Sequence, residues 1–123
     1  MDARPYCYKA MVVKIVDGDT VDLSIDLGFD LLLKQRIRLL GINTPEIDAK
    51  EPEVKAKGLI AKARVAELLP IGRWIMIETV KDRKDKYGRI LGIIFPGWLD
   101  AKPISKSLND ILLEEKLAEP MGG

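Results

Sequence analysis

Val21-Asp22-Leu23-Ser24-Ile25-Asp26-Leu27-Gly28 alternates apolar and polar residues with a strict two-residue period. That period sends successive side chains to opposite faces of an extended chain, so the stretch reads as a half-buried β-strand. Ahead of it, residues 11–16 are a β-branched run, and Asp17-Gly18-Asp19 between the two reads as a tight hairpin connection. Beyond it, residues 31–42 are apolar and β-rich around Lys34 and Arg38, which gives a third strand, with Gly28 marking a bulge on the way. Residues 73–80 and 89–95 form two more strands, joined by the charged loop 81–88.

Helical spacing appears twice. From Pro52 or Glu53 to Leu69, the positions Leu59, Ala63 and Ala66, with Ile60 and Leu69, recur at helical intervals; Pro and Glu open the segment and Pro70-Ile71-Gly72 closes it. Gly58 weakens its first turns. Ser107-Leu108-Asn109-Asp110 has the form of a capping box, and Leu108, Ile111, Leu112 and Leu117 make an apolar stripe for a helix to about Ala118. Three strands, a helix, two strands and a helix predict a mainly β, α+β fold: a five-stranded OB-type β-barrel with two or three helices. The expected layout is an N-terminal extension over 1–10, the barrel domain over 11–118 and a flexible tail over 119–123. Trp74, Phe95 and Trp98 sit in apolar strand contexts and are expected in the core, whereas Tyr6 and Tyr8 either stack on bases or cover the barrel end.

The chain has 123 residues, enough for one domain that buries about two-thirds of its unfolded surface. A lone Cys7 cannot form an internal disulfide and is read as filling space. No leader-like head and no run near the roughly 18 apolar residues of a membrane span occurs. The expectation is a soluble protein with no membrane partner, cytoplasmic, or secreted if a leader has been removed. Histidine is absent, which excludes Ser-His-Asp and Cys-His catalysis and His-ligated zinc, and the single cysteine excludes thiolate zinc sites. Any catalysis must use carboxylates, Lys, Arg, Tyr or a hard cation held by oxygens.

The net charge of +1 makes no global case for a polyanionic partner. The charges nevertheless come in blocks: acidic from Asp17 to Asp30, basic at Lys34, Arg36 and Arg38, acid-rich around Glu46, Asp48, Glu51 and Glu53, then basic from Lys81 to Arg89. Such blocks are either solvated faces or a site that holds both a cation and a polyanion.

Three islands carry the chemistry: Asp17-Gly18-Asp19-Thr20, Arg38-Leu39-Leu40-Gly41-Ile42-Asn43-Thr44-Pro45-Glu46, and Asp85-Lys86-Tyr87-Gly88-Arg89. Asp19 and Asn43 either satisfy turns or, with the Thr44 carbonyl, offer oxygens to a hard cation. Pro45 restricts Thr44 to extended backbone and so limits the direction of its carbonyl. Glu46 either caps the following loop, pairs with an arginine, or accepts a proton from a water that attacks phosphorus. Arg38 and Arg89 are surface ion-pair residues or planar forks for phosphate oxygens.

In combination and order these islands resemble the staphylococcal nuclease, or thermonuclease-like, family, whose pattern is D-G-D-T, then R-L-x-x-[IV]-[DN]-x-P-E, then D-K-Y-G-R. The resemblance covers roughly residues 11–118. It implies a Ca²⁺-dependent nuclease that hydrolyses DNA and RNA phosphodiesters with little sequence preference. Asp19 then resembles the metal carboxylate, Asn43 stands in the place of the second metal residue, and Thr44 resembles the residue that offers its carbonyl. Arg38 and Arg89 resemble the phosphate clamp, Glu46 the general base, and Lys86 and Tyr87 the residues that help hold a substrate phosphate.

Asn43 departs from the Asp of the best-studied member. The lost charge predicts weaker Ca²⁺ binding or a site more open to Mg²⁺ or Mn²⁺. The chain also stops soon after the helix near Leu117, where better-known members continue into a further helix; either the barrel closes with less, as a monomer or a weak homodimer over the apolar surface left behind, or further residues follow in a longer protein. The alternative to the nuclease is a non-catalytic nucleic-acid-binding barrel of the same fold, with DNA or RNA as partner in either case.

Overall fold

The computed structural model of the chain describes residues 6–97 and 106–121. Strands β1 (Cys7–Asp17), β2 (Thr20–Asp26) and β3 (Leu32–Leu39) are followed by the short β4 (Ile42–Asn43) and by helix α1 (Pro52–Leu68). Strands β5 (Trp74–Lys84) and β6 (Ile90–Phe95), helix α2 (Leu108–Glu114) and the short β7 (Glu119–Pro120) complete the described elements. The five long strands close into a barrel in the order β1-β2-β3-β6-β5. All pairs are antiparallel except β3 with β6. This is the α+β barrel that the element order predicted.

The period-two stretch behaves as expected: Val21, Leu23 and Ile25 are buried and Asp22, Ser24 and Asp26 are not. They join Val12, Ile37, Ile75, Ile77 and Ile94 in the barrel core, and Leu108 and Leu112 of α2 and Val65 and Leu69 at α1 extend the same cluster.

Several local expectations are corrected. Strand β1 begins at Cys7 rather than Met11 because residues 7–11 pair with β5. The expected third strand breaks at Leu40-Gly41; its last residue, Ile42, and the following Asn43 form a separate short strand that pairs with Pro120 and Glu119. The start of the expected loose tail is thus a strand. Gly28 lies in a left-handed turn rather than a bulge, and the register shifts fall in β1, between Val12 and Lys14 and between Ile15 and Asp17, and in β5, between Thr79 and Lys84. Strand β5 runs on to Lys84, and α2 stops at Glu114 rather than near Ala118.

The buried face of α1 is Gly58, Ala61 and Val65, not the Leu59, Ala63 and Ala66 stripe, and Ile60 is exposed too. Small residues face inward because the chain packs there backbone against helix. Trp74 and Phe95 are half-buried on the outer side of their strands, with the Lys9 ammonium 4.8 Å from the Trp74 ring. Trp98 lies outside the described residues. Tyr8 packs beside the core and donates to the Asp82 carboxylate at 2.9 Å, and Cys7 is half-buried.

Candidate active site

Hairpin geometry brings the first two islands together. Thr20 is the register partner of Arg38 across β2 and β3, so Asp19, one residue outside the ladder, sits beside the end of β3. The Leu39 N–H donates to the Asp19 carbonyl at 2.9 Å and locks that register. The Asp19 side chain is buried, 8% exposed, and each of its carboxylate oxygens has a partner. Oδ1 accepts from the Thr20 hydroxyl at 3.0 Å, Oδ2 accepts from the Thr44 N–H at 3.1 Å, and Arg38 Nη2 lies 3.4 Å from Oδ2.

Arg38 is held as firmly. Its Nη1 donates to the carbonyls of Leu39 at 2.9 Å and Ile42 at 3.0 Å, and Nη2 donates to Asn43 Oδ1 at 3.1 Å. A buried guanidinium needs such acceptors, since an unpaired charge there is costly. Nη2 therefore stands between the Asp19 carboxylate and the Asn43 amide oxygen.

Helix α1 seats the loop that carries Thr44, Pro45 and Glu46. A Cβ at Gly58 would lie 2.7 Å from the Pro45 carbonyl oxygen and 2.8 Å from that of Glu46, so only glycine lets the helix pass this close. On the other side, a Cβ at Gly18 would meet Thr44 Oγ1 at 2.8 Å and the Ala61 side chain at 2.9 Å. Hairpin, loop and helix are thus stacked through two glycines. Thr44 Oγ1 is buried in that stack without a hydrogen-bond partner among the described residues, while the Glu46 side chain remains exposed.

The third island arrives on β6, where Leu91 pairs with Arg38. Asp85 organises the turn before it: Oδ1 accepts from the backbone N–H of Tyr87 and of Arg89, both at 2.9 Å, and Oδ2 accepts from Arg89 Nε at 2.7 Å. Burial opposes ionisation of Asp85, yet these two N–H groups and the guanidinium outweigh it and hold its carboxyl below the usual range. Tyr87 is 70% exposed, with the Arg89 guanidinium 5.0 Å and the Lys86 ammonium 5.2 Å from its ring.

All three islands meet in one cavity of about 400 Å³ lined by Asp17, Asp19, Thr20, Arg38, Asn43, Glu46, Tyr87 and Arg89. Thr44 adjoins it through its bond to Asp19. Lys86 does not line it but faces a neighbouring cleft of about 710 Å³, shared with Arg38, Tyr87, Arg89, Leu91 and Met121. Asp17 is the residue that sequence reasoning missed, since it was read only as part of the hairpin. Burial pushes its carboxyl up, the Gly18 N–H pulls it back, and Asp19, Asp48 and Glu46 push it further up. Its place beside Asp19 in the first island was the available signal.

The profile of the staphylococcal nuclease homologue family matches residues 36–121. The chain belongs to the staphylococcal nuclease family. A thermonuclease of Staphylococcus intermedius is 33% identical over 78% of this chain and 52% of its own length. The SPbeta prophage-derived endonuclease YokF of Bacillus subtilis is 32% identical over 85% of this chain and 31% of its own length. A micrococcal nuclease of Shigella flexneri is 28% identical over 90% of this chain and 57% of its own length. The chain thus spans between about a third and three-fifths of these relatives. The profile begins at Arg36, after the first island, and it is the β2–β3 register that brings Asp19 to the residues of this nuclease family's matched segment.

Among the described residues no group of three or more His, Cys, Asp or Glu side chains stands in metal-holding geometry. Two hard-oxygen donors nonetheless line the cavity, the Asp19 carboxylate and the Asn43 amide oxygen, and Thr44 adjoins it. Carboxylate and amide oxygens are the donor chemistry that a divalent cation of the Ca²⁺ class takes, and this pair carries one formal negative charge. Among the same residues, no helix is long and apolar enough to cross a membrane.

Proposed function

We propose that this chain is a cation-dependent nuclease that hydrolyses phosphodiester bonds of DNA or RNA with low sequence specificity. One observation carries the reading: an exposed carboxylate, two arginines and the oxygen donors of Asp19 and Asn43, from three separate stretches of sequence, line a single cavity. Asp19, Asn43 and the Thr44 carbonyl would hold Ca²⁺, or Mg²⁺ or Mn²⁺. A divalent cation supplies Lewis acidity toward a phosphate oxygen and a water.

The chain's own residues supply the rest. Glu46, exposed at the cavity while its backbone is seated on α1, accepts a proton from the attacking water at its carboxylate. Arg89, steadied by Asp85 and stacked near Tyr87, turns its guanidinium to a non-bridging phosphate oxygen. Arg38 has its Nη groups engaged by the protein, so it presents a fixed positive charge through an edge that does not have to reorganise as charge develops on phosphorus. Lys86 and Tyr87 extend the basic, aromatic rim toward the neighbouring cleft.

The test is cleavage of single-stranded DNA, double-stranded DNA and RNA in Ca²⁺, Mg²⁺, Mn²⁺ or chelator, beside Glu46→Gln and Arg89→Ala. Cation-dependent cleavage, abolished by Glu46→Gln and lowered on the order of a hundredfold or more by Arg89→Ala, is the expected result. Cleavage unaffected by either substitution would sink the assignment. A second reading, binding without hydrolysis, draws on the neutral Asn43, whose oxygen is engaged by Arg38; it is marked by retention of oligonucleotide with no product in any cation.

A further inference from the structure

A second groove opens on the far side of Asn43. It holds about 400 Å³ between α1 and the β4–β7 pair and is lined by Asn43, Lys57, Lys116 and, as apolar wall, Val54, Ile60 and Leu117. Asn43 lines both this groove and the cavity of the three islands, so the two spaces adjoin at that side chain. Neither lysine forms an ion pair among the described residues. Lys116 is in the left-handed conformation, φ 61°, which a lysine rarely adopts and which follows the end of α2. The one carboxylate at the rim is Glu119, on β7, so the groove carries two cations against one anion.

Apolar walls beside unpaired ammonium groups fit a ligand with a flat apolar part and anionic links. A nucleotide unit of a single strand has both. We infer that this groove takes the nucleotide next along the strand from the scissile phosphate, with its base against Ile60 and Leu117 and its phosphate between Lys57 and Lys116. The inference rests on the nucleic-acid reading of the neighbouring cavity and adds a defined path for the strand across it. It also gives a use to Ile60, a large apolar residue on α1 left 58% exposed beside this groove.

The test uses Lys57→Ala/Lys116→Ala in the otherwise unchanged chain and in the Glu46→Gln background, where cleavage does not consume the probe. Binding of thymidine oligomers of about two and about eight nucleotides is followed by fluorescence anisotropy against salt. Each lost phosphate contact lowers the salt slope for a single strand by about 0.7, so the double variant, which releases the one phosphate held between the two lysines, should lose about 0.7 in slope and bind the longer oligomer on the order of tenfold more weakly at 0.1 M salt. The short oligomer should bind and be cleaved as by the parent. Glu119→Gln should shift longer-oligomer binding the opposite way. Equal loss for both lengths, or no loss for either, overturns the groove while leaving the nuclease reading intact. A parent chain that neither binds nor cleaves any oligomer overturns both.

Discussion

At the scale of single residues, the site is a set of charges whose partners are visible, and two substitutions read it out. Asn43 offers one neutral oxygen, already accepting from Arg38 at 3.1 Å. Asn43→Asp adds a full charge beside the Asp19 carboxylate, and about 1.4 kcal/mol of added attraction tightens Ca²⁺ on the order of tenfold. Titration calorimetry measures this directly, and unchanged affinity would remove Asn43 from the donor set. Asp17 gives a pH signature. Its folded-state carboxyl is raised by burial and by neighbouring acids, despite the Gly18 N–H. Its contribution to stability is therefore fully present below the ordinary carboxylate range and is lost as pH rises through the raised value. Asp17→Asn, which cannot ionise but can still accept from Gly18, should melt above the parent at pH 7 and level with it near pH 3. A Tm difference that ignores pH would mean that Asp17 is not held in this acidic pocket. The catalytic candidates were legible because each island pairs an unusual residue set with a turn signal; Asp17 was not, because its burden comes first from burial, which only the folded chain creates, with Asp48 and Glu46 adding to it from far away in sequence.

At the scale of elements, legibility followed the local periodicity. Val21, Leu23 and Ile25 declare β2 because burial on one face is a property of the strand itself. Strands β4 and β7 could not be read, since two-residue strands exist only through their pairing with each other. The inward face of α1 was misjudged for a related reason: the sequence pattern weighs large apolar groups, while Gly58 and Ala61 are buried because backbone must pass them. Gly58 then becomes a test of the site. In an exposed helix interior, Gly→Ala gains about 1 kcal/mol. Here the new Cβ would be driven against the Pro45 and Glu46 carbonyls at under 3 Å, and neither backbone can move without shifting the loop. Gly58→Ala should therefore destabilise by about 1–3 kcal/mol, as overpacking does, and depress cleavage by moving Glu46. Circular dichroism would show the helix intact. A variant more stable than the parent by the propensity gain would mean that loop and helix do not touch.

At the scale of the whole molecule, the site lies where the barrel's closing parts converge: the β1–β2 hairpin, the end of β3, the loop on α1 and the entry to β6. The proposed donor oxygens come from residues 19, 43 and 44, which the unfolded chain does not hold together. A cation that binds only the assembled set stabilises the fold by mass action, about 2.7 kcal/mol when its concentration is a hundred times Kd. For a domain of this size that is a rise in Tm of roughly 10 °C. Scanning calorimetry in Ca²⁺ against chelator measures it, and Asp19→Asn supplies the control. The substitution removes the Arg38 partner at 3.4 Å and so lowers Tm by itself. The decisive quantity is therefore the increment that Ca²⁺ adds to each protein, not the Tm of either. A large increment in the parent and a small one in Asp19→Asn ties the cation to the cavity floor. Equal increments in both would place the cation elsewhere on the surface, and the cavity would then have to act on phosphate through Arg38, Arg89 and Glu46 without it.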